Sequence, residues 1–157
     1  MVSYTSQKYD INFNRHELCI FTSMETIRTV YRGELRTEAT HVRSGVQIIT
    51  DAPPDNQGKG ESFSPSDLLA ASLGSCMVTI MGIASRTNSI NIDGTKIKVT
   101  KVMAANPRRV SEIHVEFDMP QHSYTEKEKA ILDNAARTCP VALSIHPDIK
   151  QVVTFNF

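Results

Sequence analysis

The stretch SPSDLLAASLGSCMVTIMGIASR, Ser64 to Arg86, decides how the rest of the chain can fold. Ser64 is a favoured helix N-cap, Pro65 suits the first helical position, and Asp67 supplies an acid in the first turn. No charge follows from Leu68 to Ser85, a run of 18 residues. On a helical wheel, Leu69, Leu73, Cys76, Ile80 and Ile83 form one bulky apolar stripe. Ala71, Gly74, Ser75, Val78 and Gly82 form a second stripe of mostly small residues on the opposite side. A helix apolar on both sides needs cover on both sides. Its length of ~35 Å, from the rise per residue of an α-helix, is enough to cross a small domain. The stretch reads as the central helix of the fold, with Cys76 on its bulky face. A membrane span is the rival reading, because the uncharged run sits near the lower length limit, but three serines and a threonine dilute it. The small stripe points to close approach of another backbone, which could belong to a second copy of the same helix.

Upstream of this helix, DAPPDNQGKGESFSP from Asp51 to Pro65 is a loop by composition, and long ordered loops are often functional. Before it, Val46 to Thr50 reads as a strand returning from a Ser44-Gly45 turn. Ile27, Thr29, Tyr31, Gly33, Leu35, Thr37 and Ala39 alternate with Arg28, Arg32, Glu34, Arg36 and Glu38. That is period two, over a long strand or a bent pair of strands. Residues 1 to 23 carry weaker signals: Tyr9, Ile11 and Phe13 alternate with polar neighbours, and Leu18 to Phe21 is a short apolar run around Cys19. This tract reads as an added strand, an arm or a tail.

Downstream, Asn91 to Gly94 makes a turn, and Lys96 to Ala104 follows as a strand with a bulge expected near Lys101. After the Asn106-Pro107 turn, Ile113, Val115, Phe117 and Met119 alternate with Glu112, His114, Glu116 and Asp118. The two strands read as an antiparallel hairpin with one solvated face. Thr125 with Glu128 is a capping box opening a helix to about Thr138. Pro140 starts a short helical turn over Val141 to Ile145, and Val153, Phe155 and Phe157 make a closing strand. The order of elements predicts an α+β fold, antiparallel sheets packed on the long central helix.

A chain of 157 residues makes one domain with a real core. Its 17 basic and 17 acidic residues balance, so neither a nucleic-acid nor a membrane-surface partner is expected. Three cysteines, Cys19, Cys76 and Cys139, make a poor disulfide framework and match no zinc pattern, which favours a reducing, cytoplasmic setting. Met1 to Phe13 is polar with no apolar core, so no signal peptide is expected.

The candidate chemistry is Cys76 with Cys139. Buried free cysteines usually act as small hydrophobes, and Cys76 fits that role as well as a reactive one. Cys139 directly precedes Pro140. If Pro140 is the first helical residue, Cys139 stands at the N-cap, either as a thiol whose thiolate the amide groups and helix dipole favour or as a cysteine that merely occupies a cap. Spacing alone leaves open whether the two meet. A zinc site of Cys139 and His146 is the weaker option, for lack of further ligands at zinc spacing.

The segments YRGELRTEATHVRSG, GESFSPSDLLAASLGSCM and RTCPVALSI resemble the osmotically inducible protein C (OsmC) and organic hydroperoxide resistance (Ohr) family. The resemblance covers Met24 to Phe157, which implies an N-terminal extension over 1–23 and a single OsmC-like domain over 24–157. It implies an intertwined homodimer with two long helices in the middle and sheets outside. It also implies a peroxidase that reduces organic hydroperoxides, with Cys76 at the peroxidatic position and Cys139 at the resolving one. Peroxidase members use an arginine from the N-terminal strand region, and Arg36 falls nearest that position, with Arg43 as the fallback. They also use a glutamate near the start of the central helix. Here Ser66 takes its place, with Asp67 next to it and Glu61 in the loop. The implied partners are a small organic hydroperoxide and an external dithiol reductant, and no metal or organic cofactor is required. Leu69, Leu73, Ile80 and Ile83 are the candidate substrate-binding residues, suited to an alkyl or acyl hydroperoxide. The alternative function is a non-catalytic dimeric binding module of the same fold with an inert Cys76.

Overall fold

Two three-stranded sheets and three α-helices make up the computed structural model, which describes residues 25–157. The expectations for residues 1 to 23, Cys19 included, lie outside the described residues. The first sheet is an antiparallel meander of β1 (Ile27–Gly33), β2 (Arg36–His41) and β3 (Gln47–Asp51). The alternation from Ile27 to Ala39 is therefore a pair of strands. They join through Glu34 and Leu35, which take positive φ angles of 50° and 59°. Two left-handed residues in succession give a turn whose twist matches that of the flanking strands.

Register fixes the two faces of this sheet. Tyr31 pairs with Thr37, and Thr37 with Thr50, so these share one face with Ile27, Ala39 and Ile48. Arg36 pairs with Asp51, which puts both on the opposite, charged face. The loop after β3 is ordered. It makes a 3-10 turn over Pro54–Asn56, and Gly58 and Gly60 donate to the carbonyls of Pro53 and Ala52. At Gly58 a Cβ would fall 1.7 Å from Ala52 O, so only glycine allows the loop to close on itself there.

The central helix α1 runs over Pro65–Asn88. The Ser64 side chain accepts from Asp67 N, and the Asp67 carboxylate accepts from Ser64 N, a full capping box. By length and composition α1 could cross a membrane, with a third of its most apolar window buried. In the chain it packs on α2, α3 and the second sheet. That sheet is β4 (Lys96–Ala105), β5 (Arg108–Asp118) and β6 (Lys150–Asn156). β4 and β5 form the expected hairpin, with a bulge between Val102 and Met103. β6 lies parallel to β5, because α2 (Glu126–Arg137) and α3 (Pro140–Ser144) carry the chain over the sheet between the two strands.

The core is built in this second half. Leu73, Met77 and Met81 of α1 meet Ile113, Val115 and Phe117 of β5 and Leu132 of α2, all fully buried. The buried face of α1 is Ala70, Leu73, Gly74, Met77, Met81 and Ser85, rotated away from the bulky stripe. At Gly74 helix and sheet approach closely, and a Cβ there would lie 2.7 Å from Val99 Cγ2 of β4. Among the described residues no member of β1, β2 or β3 belongs to that core.

Candidate functional site

Cys76 and Cys139 come together although 63 positions separate them (139 − 76). Cys76 sits on α1, half-buried, with part of its side chain reachable from solvent. Cys139 is fully buried and occupies the N-cap of α3, as the Cys-Pro pair predicts. Its Sγ accepts from Ala142 N at 3.4 Å, and its own N–H donates to Ala136 O at the end of α2. Burial pushes the Cys139 thiol above the ordinary range, and the neighbouring Cys76 sulfur adds to the rise. The Ala142 N–H pulls the other way and does not prevail. At neutral pH Cys139 is therefore a protonated thiol held against Cys76. Both thiols are free.

Arg36 does not meet either sulfur within its own chain. Its Nε donates to Asp51 Oδ1 at 2.7 Å, and its Nη2 donates to Asp51 Oδ2 at 2.8 Å and Glu61 Oε2 at 2.6 Å. The fork-to-carboxylate pairing fixes the guanidinium on the charged face of the first sheet. Hydrogen bonds from Arg36 hold the Asp51 carboxyl below its usual value, and the two carboxylates raise Arg36 in turn. Glu61 reaches this place because its backbone N–H donates to Asp51 Oδ2 at 3.1 Å. Arg43 lies in the β2–β3 turn, exposed to solvent.

Ser66, at the position where the resemblance implies a glutamate, faces a lysine. Lys101 Nζ donates to Ser66 Oγ at 2.7 Å and Ser64 Oγ at 2.8 Å, and pairs with Asp67 Oδ1 at 2.7 Å. For Asp67, burial raises the carboxyl, but Lys101 and the Ser64 donors outweigh it and hold it low. Lys101 and Asp51 were not picked out by sequence reasoning as parts of a site. Lys101 had a visible signal: it falls in the inward series Ile97, Val99, Lys101, Met103, where a charge needs a partner. Asp51 had none, since a carboxylate at a loop boundary is ordinary turn chemistry.

The four candidate substrate-binding residues are not gathered into one pocket. Leu73 is fully buried in the core, and Ile80 is half-buried against it. Leu69 lines a cavity of about 590 Å³ with Pro107, Val110 and Ile149. Ile83 lines another, of about 760 Å³, at the far end of α1 with Gly82 and Arg86. The stripe spreads because the buried face of α1 is centred on its methionines. Among the described residues no three His, Cys, Asp or Glu side chains are grouped to hold a metal. His146 Nδ1 accepts instead from Asp148 N at 3.2 Å.

The sequence matches the family described as OsmC-like protein over residues 58–153. A crystal structure from Psychrobacter arcticus 273-4, described as an osmotic stress induced and detoxification response protein, is 55% identical. It covers 87% of this chain and 99% of its own, with a TM-score of 0.82. A Legionella pneumophila structure, described as an organic hydroperoxide resistance protein OsmC, is 13% identical over 86% of this chain and 99% of its own, with a TM-score of 0.69. An organic hydroperoxide resistance protein from Elizabethkingia anophelis is 17% identical over 86% of this chain and 98% of its own, with a TM-score of 0.65. No curated protein matches the sequence.

Proposed function

Because the chain belongs to the OsmC-like protein family, we propose that it is a thiol peroxidase reducing organic hydroperoxides through Cys76 and Cys139 in oxidative stress defence. The observation that carries this reading is the half-buried Cys76 set against a buried, protonated Cys139. Two structures of the same fold are described as organic hydroperoxide resistance proteins, which supports it. The Cys76 thiolate attacks the peroxide oxygen, breaking the O–O bond and releasing an alcohol, and is left as a sulfenic acid. The Cys139 sulfur then attacks Cys76. The S–S bond forms, water leaves with the sulfenic oxygen, and an external dithiol in a reducing, cytoplasmic setting restores both thiols. Ile80, one helical turn from Cys76 and half-buried against the core, favours an alkyl or acyl hydroperoxide over hydrogen peroxide.

The reading includes a homodimer. Ile27, Tyr31, Ile48 and Ile83 are between 45% and 64% exposed in one chain, large apolar side chains that a second copy would cover. It assigns Arg36 to a site only across that dimer, since in its own chain Asp51 and Glu61 hold the guanidinium on the face of its sheet opposite Thr37 and Thr50. A second reading, a binding module with an inert Cys76, draws on the Lys101–Ser66 contact, which stands where a peroxidase glutamate would. Consumption of cumene hydroperoxide separates the two. Cys76→Ser is expected to abolish it, while Cys139→Ser consumes about one equivalent per chain and then stalls, its sulfenic acid unresolved. Wild-type thiols that survive excess hydroperoxide unchanged would leave the binding module as the better account.

A further inference from the structure

Cys139 lies between two clips that fasten its segment to β6. On the N-terminal side, Arg137 Nη2 in the last turn of α2 donates to Val153 O at 3.3 Å. On the C-terminal side, Gln151 Nε2 donates to Ala142 O of α3 at 2.9 Å. β6 pairs Gln151 with Ile113 and Val153 with Val115, and both of those β5 residues are fully buried. The clips therefore tie the segment to the best-packed part of the molecule. α3 needs such a tie. It has five residues, too few to hold its own conformation, and Leu143 on it is 73% exposed.

We infer that Gln151 is a positioning residue that sets the distance over which Cys139 closes on Cys76. It acts through Ala142. The same residue whose carbonyl accepts from Gln151 donates its N–H to Cys139 Sγ. Without the Gln151 donor, the segment loses one of its two ties to β6 and holds the Cys139 sulfur less closely. Attack of Cys76 on an oxidant is untouched by this, because Cys76 stands on α1.

The inference rests on the thiol pair proposed above but not on a peroxide as the oxidant. Oxidised glutathione drives the same closure. The Cys76 thiolate attacks one glutathione sulfur, the glutathione disulfide bond breaks, and one glutathione thiolate leaves. Cys139 then gives up its proton to solvent and attacks Cys76, forming the protein disulfide and releasing the second glutathione. Equilibrium against reduced and oxidised glutathione measures the effective concentration of the two thiols. Gln151→Met keeps the length and loses the donor, and Gln151→Glu serves as a second variant with an acceptor only. Both are expected to lower that effective concentration about tenfold, or ~30 mV in potential. The alkylation rate of Cys76 and the unfolding temperature should stay at wild-type values. An unchanged effective concentration overturns the inference, and so does a fall that comes only with a matching loss of unfolding temperature. Failure of the wild type to form the disulfide with glutathione overturns it as well. A wild type that closes with glutathione yet consumes no cumene hydroperoxide defeats the peroxidase reading alone.

Discussion

The two sheets of this protein are finished to different degrees. The second, β4 to β6, has α1 laid over one face with α2 and α3 packed on α1, and its Phe117, Ile113 and Val115 are fully buried. The first, β1 to β3, leaves Ile27 at 57%, Tyr31 at 64% and Ile48 at 45% exposure, and is fastened by an ion network and a loop. α1 repeats the contrast along its own axis: Met77 and Met81 are buried on one side, and Ile83 is 57% exposed on the other. One half of the molecule is held by its own core. The other leaves large apolar side chains uncovered, the surface that the proposed homodimer would bury.

The largest expected effect tests this contrast directly. Leu73→Ala, in the finished half, should cost about 3–5 kcal/mol in denaturant unfolding at any protein concentration. Ile48→Ala should cost under ~1 kcal/mol in dilute solution, with a larger loss as concentration rises, because the proposed homodimer would cover it with a second chain. Equal, concentration-independent costs would erase the distinction between the halves.

A smaller effect sharpens it on α1. Gly74→Ala places a Cβ against Val99 Cγ2 and should cost roughly 1–3 kcal/mol, since helix and sheet must part. Gly82 meets nothing within 4 Å in its own chain, so Gly82→Ala should stabilise the isolated chain by up to ~1 kcal/mol through helix propensity. Gly82→Leu should in addition weaken self-association, as read by sedimentation. If Gly82→Leu leaves the association constant unchanged, this face of α1 is not the interface.

The smallest effect is local to the first sheet. The Asp51 carboxyl titrates below its ordinary value because of Arg36, so its support is present above about pH 4 and fades as pH falls through the lower folded value. The Glu61 amide, which donates to Asp51, should lose hydrogen-exchange protection below that pH while amides of β5 keep theirs. Asp51→Asn should weaken Glu61 protection at neutral pH too. Loss in β5 at the same pH would mean that the two halves open together.

What could be read from the sequence was local chemistry. Ser64, Pro65 and Asp67 mark the start of α1, Thr125 and Glu128 that of α2, and Cys139-Pro140 that of α3, because each cap is set by residues within one turn. The buried face of α1 was not legible, since a helix apolar all round carries no periodic signal to separate Met77 and Met81 from Leu69 and Ile83. The Glu34–Leu35 turn has no glycine or asparagine at its two left-handed positions, so the alternation fits one long strand as well as a bent pair. At the site, the cysteine pair followed from the family resemblance. The partners of Arg36 and Ser66 did not, because strand register brings Asp51 to Arg36, 15 positions away (51 − 36), and packing of α1 on β4 brings Lys101 to Ser66, 35 positions away (101 − 66).

The most direct test is mass spectrometry of the reduced protein after a stoichiometric pulse of cumene hydroperoxide. The account predicts a peptide pair linked by a Cys76–Cys139 disulfide, formed in step with loss of peroxide and reversed by an added dithiol. Both cysteines recovered as free thiols with the peroxide intact would contradict it.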